Sequence, residues 1–267
     1  MDKFKKIFKE NKPIIAMIHV SATPGTPGYG GSVKKIIDKA LKEAFIYEKA
    51  GIKAVMIENM HDVPYLNRTV GHEVSALMSI IAYEIKSKTD LICGIQILAG
   101  AGKQALAAAH SAGADFIRNE GFVFSHVADE GIMHSDAGEL LRYRKQIGAE
   151  NILIFTDIKK KHASHAVTSD TDIEETAKAA EFFLSDGLII TGKSTGRQAD
   201  PEDAAKVKKS VKIPVMAGSG ITPDNLAFFS HVDAFIVGSY FKKDGNWKND
   251  IEKSRVENMI KARQKIL

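Results

Sequence analysis

The chain has 267 residues, 44% of them apolar and 26% charged, with a formal net charge of +4. Its lysines are scattered among acids rather than gathered in a basic stripe, which excludes a nucleic-acid footprint, and no apolar run approaches the ~20 residues of a membrane span. The single cysteine, Cys93, excludes an intrachain disulfide framework, so a reducing, cytoplasmic setting is expected.

Residues 1–12 lack the continuous apolar region of a signal peptide. Phe4, Ile7 and Phe8 share one helical face, and Asp2–Lys9 is predicted to form a short helix closing the bottom of the fold. The apolar run Ile14–His19 follows, then the Pro- and Gly-rich stretch Ser21–Gly31. Ser32 caps a helix that ends at Gly51. Next come the runs Ala54–Asn59 and Leu91–Leu98, a helix around Ala105–His110 closed by Gly113, the run Asp115–Asn119 and a long loop, Gly121–Ser135. Asp136 with Glu139, and Thr171 with Glu174, have capping-box spacing; the run Ile152–Asp157 lies between them and helix Ala177–Phe183 after them. The remaining runs are Gly187–Thr191, Ile213–Ala217 and Ala234–Val237. Asp200-Pro201-Glu202 and Thr222-Pro223-Asp224 place a cap before a first-turn proline, and Ile251–Ile266 is the last predicted helix. Eight apolar runs alternating with helical stretches predict βα units, a parallel sheet and its closure into a single (β/α)8 barrel over residues 13–267.

Such barrels carry their chemistry at the carboxyl ends of the strands. Strand residues two apart share a face, so His19, Glu58, Gln96, Arg118 and Asp157 are the last inward positions of five strands. Asp157 and Glu58 are expected to form the acid–base pair, with Arg118 stabilising negative charge. Lys159 shares a face with Asp157 if that strand continues, and a desolvated Lys159 would be a nucleophilic amine. His19 and His162 are expected to orient substrate or move a proton; Lys160, Lys161 and His165 are expected to be solvated. A plain ion-pair network of Arg118 with Glu58 and Asp157 is the competing reading. The sequence has no zinc-ligand spacing and implies no cofactor; a divalent cation would fall to Glu58, Asp157 or Asp62.

Gly218-Ser219-Gly220 and Gly238-Ser239 follow the last two strands, where backbone N–H groups of many barrels bind phosphate. Thr191, Gly192, Asn59 and Gln96 are further candidate ligand contacts. Gly187 to Ser194 matches the P-loop pattern letter by letter, but an apolar strand occupies the place of the flexible loop. Thr191–Gly196 is expected to be a mobile loop over the sixth strand.

The chain resembles the BtpA family, grouped with ribulose-phosphate-binding barrels and named for a photosystem I biogenesis factor. The resemblance runs from about His19 to Arg255. It rests on His19 with Pro24-Gly25-Thr26-Pro27, Glu58-Asn59, Asp62-Val63-Pro64, Phe116-Ile117-Arg118, Asp129 with Gly131-Ile132, and Arg142-Tyr143-Arg144. Asp157-Ile158-Lys159, Lys161-His162-Ala163, Thr191-Gly192, Thr195-Gly196, Gly218-Ser219-Gly220 and Val237-Gly238-Ser239 complete it. Gln96-Ile97-Leu98-Ala99-Gly100 and Arg118-Asn119-Glu120 depart from the family pattern and imply a shifted substrate. The expected function is an enzyme acting on a small phosphorylated sugar or nucleoside-like metabolite by isomerisation, lyase chemistry or glycosidic cleavage, with homo-oligomers possible. The alternative is a non-catalytic biogenesis or regulatory factor that keeps the phosphate site.

Overall fold

The computed structural model describes residues 2–192 and 198–267. The chain runs α1 (Asp2–Ile7), β1 (Ile14–His19), α2 (Val33–Ala50), β2 (Ala54–Glu58), α3 (His72–Lys88), β3 (Ile92–Gln96), α4 (Gly102–Ala112) and β4 (Phe116–Asn119). It continues with β5 (His126–Ala128), β6 (Gly131–Met133), α5 (Ala137–Gln146), β7 (Leu153–Ile158), β8 (Ala163–Ser164), α6 (Ile173–Phe182) and β9 (Gly187–Ile190). The last elements are α7 (Pro201–Ser210), β10 (Val215–Gly218), β11 (Ala234–Val237) and α8 (Lys253–Gln264). Eight strands close a parallel barrel in the order β1-β2-β3-β4-β7-β9-β10-β11. The three short strands form a separate antiparallel sheet, β6-β5-β8.

Strand period explains what fills the barrel. Ile15, Met17, Ala54, Met56, Phe116, Leu153, Phe155, Ile189, Met216 and Ile236 form an interior cluster with Phe4 and Phe8 of the N-terminal segment. The alternate residues, such as Ile14, Ala16, Val55, Ile57 and Ile95, join the larger core beneath the helices. The N-terminal segment, α1 with Phe8 just beyond it, is a plug: the Phe8 ring lies 5.7 Å from that of Phe116, and Phe4 lies 6.1 Å from Phe155. A Cβ on Gly94 would sit 2.1 Å from the Phe116 ring, so the missing side chain is the space Phe116 fills.

Several local expectations are corrected. Asp136 does not cap α5; its carboxylate bonds Arg68 at 2.5 Å and accepts from Asn119 at 3.0 Å. The capping box of α6 is made by Asp172 and Glu175, one residue beyond Thr171 and Glu174. After β10 the chain makes a 3-10 turn, Leu226–Phe229, rather than an α-helix, and Asn225 Oδ1 accepts the Thr222 N–H. Gly187–Ile190 pairs with β7 and β10 as a barrel strand, which removes the P-loop reading. Lys193 to Gly196, the rest of the predicted mobile loop, lies outside the described residues.

Candidate active site

In-register pairing sets the polar rim. β1, β2 and β3 align His19 with Glu58 and Glu58 with Gln96, each one pleat above the interior methionine or glycine layer. Arg118 and Asp157 end the inward faces of β4 and β7. All five side chains are buried. The structure therefore brings together five of the polar residues expected from the strand ends.

Their partners divide them into fixed and available groups. Arg118 holds Asp157 with two parallel bonds, Nε to Oδ2 at 2.8 Å and Nη2 to Oδ1 at 2.7 Å. Burial opposes the Arg118 cation, but Asp157 and then Glu58 outweigh it and raise its pKa further. Glu58 differs: burial raises its carboxyl above the usual range, with only part of that shift offset by Arg118 and Lys161. Its Oε2 lies 3.9 Å from His19 Nε2, beyond hydrogen-bond reach.

The tautomer of His19 follows from its other nitrogen. Nδ1 lies 3.2 Å from the Trp247 carbonyl oxygen. A carbonyl only accepts, so Nδ1 carries the proton and Nε2 presents a lone pair. Burial, with Lys242 nearby, lowers the His19 pKa to about 3, which keeps the imidazole neutral at neutral pH.

The segment after β7 corrects the sequence reading most strongly. The strand stops at Ile158, and Lys159 turns with φ 45°. Its amine leaves the site and donates to the Thr168 carbonyl at 3.0 Å. Lys160 and Lys161 turn inward instead of being solvated. Lys160 is buried and bonds Glu120 at 2.9 Å. Lys161 lines the cavity with Glu58 and Arg118, and burial and then the Arg118 charge lower its pKa. His162 is exposed, and His165 is half-buried with Nε2 3.1 Å from the Lys160 carbonyl.

The cavity has a volume of about 220 Å³. It is lined by His19, Glu58, Arg118 and Lys161 together with Ser219, Gly220, Thr222, Gly238 and Ser239. At Gly238, a Cβ would come within 3.3 Å of His19 Nε2, so glycine lets the loop backbone approach the imidazole. Gly218 ends β10 below that rim. Tyr240 and Arg255 also line the cavity, and neither was expected from the sequence.

Three predicted contacts belong to the scaffold. Asn59 accepts the Leu98 N–H at 2.7 Å and donates to Asp62 at 2.9 Å. Asp62 also accepts from the Thr23 N–H and hydroxyl, tying the first loop to β2. Thr191 Oγ1 accepts the Lys161 N–H at 3.2 Å, and Gly192 follows it at the end of the described stretch. Gln96 donates to Glu120 at 3.3 Å, while its Oε1 is buried without a hydrogen-bond partner among the described residues. Of the three carboxylates considered for a cation, Asp62 and Asp157 are thus committed to other partners. Among the described residues no group of three or more His, Cys, Asp or Glu side chains is placed to hold a metal ion.

Fold and rim together define a (β/α)8 barrel with a charged, glycine-looped pocket at its carboxyl end. The chain belongs to the BtpA family, whose model matches residues 10–265. An uncharacterized mitochondrial protein of Caenorhabditis elegans is 47% identical over 262 residues, covering 96% of this chain and 95% of that protein. The photosystem I biogenesis protein BtpA of Synechocystis is 30% identical over 264 residues, covering 98% and 91%. Among solved structures, (S)-3-O-geranylgeranylglyceryl phosphate synthase of Thermoplasma acidophilum, in complex with sn-glycerol-1-phosphate, superposes with a TM-score of 0.60 at 16% identity, covering 98% of this chain and 96% of that one. Phosphoribosyl anthranilate isomerase of Thermus thermophilus gives 0.57 at 12% identity, covering 96% and 100%. These likenesses establish the barrel fold. No helix among the described residues is long and apolar enough to cross a membrane.

Proposed function

We propose that this protein is an enzyme that acts on a small phosphorylated sugar or nucleoside-like metabolite by acid–base chemistry. The observation that carries this reading is Glu58: a buried carboxyl with a raised pKa, lining a cavity that two glycine loops also line. A carboxyl shifted toward neutrality is suited to give and take protons near the operating pH. The phosphate sits against the backbone of Ser219–Gly220 and Gly238–Ser239, with Gly218 only ending the strand beneath them, and the body of the substrate reaches Glu58 and the Nε2 lone pair of His19. Asp157 serves by holding Arg118 rigid, and Lys161 takes the place in the site that the sequence assigned to Lys159. Isomerisation, aldol-type cleavage and glycosidic cleavage each include a proton transfer that Glu58 is placed to make beside an anchored phosphate. The solved barrels named for glycerol-1-phosphate and phosphoribosyl anthranilate support the phosphate half of the reading. The single cysteine, Cys93, buried in β3, supports a reducing compartment such as the cytoplasm.

Gly220→Asp tests the anion site, because it sets a carboxylate where the phosphate lies. Calorimetry with glycerol phosphate should show binding to the parent protein and none to the variant. Equal affinity for the two proteins sinks the reading. The name of the Synechocystis relative supports a biogenesis factor as the second reading. In that case Glu58→Gln leaves function in the cell intact, whereas an enzyme loses it.

A further inference from the structure

Arg255 stands in the first turn of α8, the helix that follows the Gly238-Ser239 loop, and lines the same cavity. Its guanidinium carbon lies 4.5 Å from the centroid of the Tyr240 ring, over its face. Its Nε donates to the Tyr240 carbonyl. Stacking and tether together fix the plane of the fork. The loop between Tyr240 and α8 passes beneath it, with Gly245 so close that a Cβ there would lie 3.6 Å from Nη2. That loop is itself clamped: Lys242 donates to both oxygens of Glu43, each at 2.7 Å, and both side chains are buried. Arg255 makes no ion pair with a carboxylate among the described residues. It is oriented through Nε, with Nη1 and Nη2 at the pocket rim.

The geometry points to Arg255 as the selectivity device of the anion site: its terminal nitrogens grip a doubly charged phosphomonoester whose other oxygens face the Gly220 and Gly238 loops. The inference rests on the phosphate reading above and narrows its substrate class. A planar fork matches two phosphate oxygens at once, and its fixed charge favours a dianion over a monoanion or a diester. The apolar part of the lining that remains for the rest of the ligand is Met17, Met60, Ile221 and Ile236. The ligand is therefore a small phosphomonoester with an apolar edge and a polar reacting end, not a phosphodiester.

The test is calorimetry of the full chain with glycerol phosphate and with its methyl diester, on the parent protein and on Arg255→Gln, Arg255→Lys and Gly220→Asp. The parent is expected to prefer the monoester. Arg255→Gln should weaken monoester binding roughly 10- to 100-fold, in the range of lost charge-assisted hydrogen bonds, and erase the preference. Arg255→Lys keeps the charge and the stem but not the fork, so it should fall between the two. If Arg255→Gln fails to fold, Arg255→Lys decides alone, because a lysine with parent affinity overturns the fork. The affinity should also fall below about pH 6, as the phosphate becomes a monoanion, in the parent but far less in Arg255→Gln. Unchanged selectivity in Arg255→Gln, with Gly220→Asp still abolishing binding, overturns the role of Arg255 and leaves the phosphate site standing. Unchanged binding in both variants removes the phosphate reading and this inference with it.

Discussion

Asp157→Asn should destabilise the fold by an amount the site geometry allows to be estimated. The substitution keeps the shape of the side chain and one acceptor oxygen, but it removes the charge opposite Arg118. The two side chains are 1% and 6% exposed and share two bonds of 2.7 and 2.8 Å. Removing one partner of such a buried pair typically costs about 3–5 kcal/mol, because the other charge is left uncompensated. Glu58 and Glu120 also favour the Arg118 cation, so the loss should sit near the lower bound, about 3 kcal/mol. For a domain of this size each kcal/mol moves the melting temperature by roughly 2–4 °C, so a fall of roughly 6–12 °C is expected. Calorimetric melting at pH 7 measures it, with urea unfolding as a check. The double variant Arg118→Met with Asp157→Leu should recover most of the loss, since well-packed apolar replacements of buried pairs are close to neutral. A second readout is the Glu58 carboxyl followed by 13C NMR titration. With Asp157 neutral, Arg118 turns its full charge on Glu58, and the raised pKa should move down. A melting point within about 3 °C of the parent, the effect of a surface pair of about 1 kcal/mol, would refute the view that Asp157 holds Arg118 in place.

Glu58→Gln should lower turnover of any identified substrate by about 10²–10⁴-fold while phosphate affinity stays within a factor of about two of the parent, on the proposed separation of roles. Because the Glu58 carboxyl is raised on folding, the native state loses stability as pH rises from the ordinary carboxyl pKa through the raised value; the glutamine variant should lack that decline and unfold at higher urea at pH 7. His19 has the opposite sign: its pKa falls from 6.5 to about 3 on folding, so stability present above pH 6.5 is lost as pH falls toward 3. His19→Gln should flatten that acid limb by up to roughly 1.4 kcal/mol per pH unit, and an unchanged limb in urea titrations at pH 4–7 would show that His19 is not the buried neutral group. Phe8→Ala opens the bottom of the barrel beside Phe116 and Phe155 and should cost about 3–5 kcal/mol, read by urea unfolding; a loss below about 1 kcal/mol would mean that the N-terminal segment is not a structural plug.

The barrel and its plug were legible in the chain because both depend on period. Inward residues alternate along each strand, so Met17 and His19, Met56 and Glu58, and Phe155 and Asp157 fall on the cavity side whatever the neighbouring strands are. Glycine loops after the last two strands and the face formed by Phe4 and Phe8 are equally local signals. What the sequence could not supply is the choice of partner between strands. Arg118 pairs with Asp157 and leaves Glu58 exposed to burial, a decision made by the distances across a closed ring. The lysines after β7 show the limit most sharply: period two assigns Lys159 to the site, but a left-handed turn at that residue sends its amine to Thr168 and turns Lys160 and Lys161 inward. Asp136 likewise has the spacing of a cap and the partner of a long-range ion pair. Arg255 gave no local signal at all, because only the path of the loop from β11 to α8 sets its side chain beside Tyr240 and the cavity. Side-chain direction within a strand is set by backbone geometry, and the sequence carries it; the electrostatic role of each group is set by which charges lie within a few ångströms, and only the tertiary structure decides that.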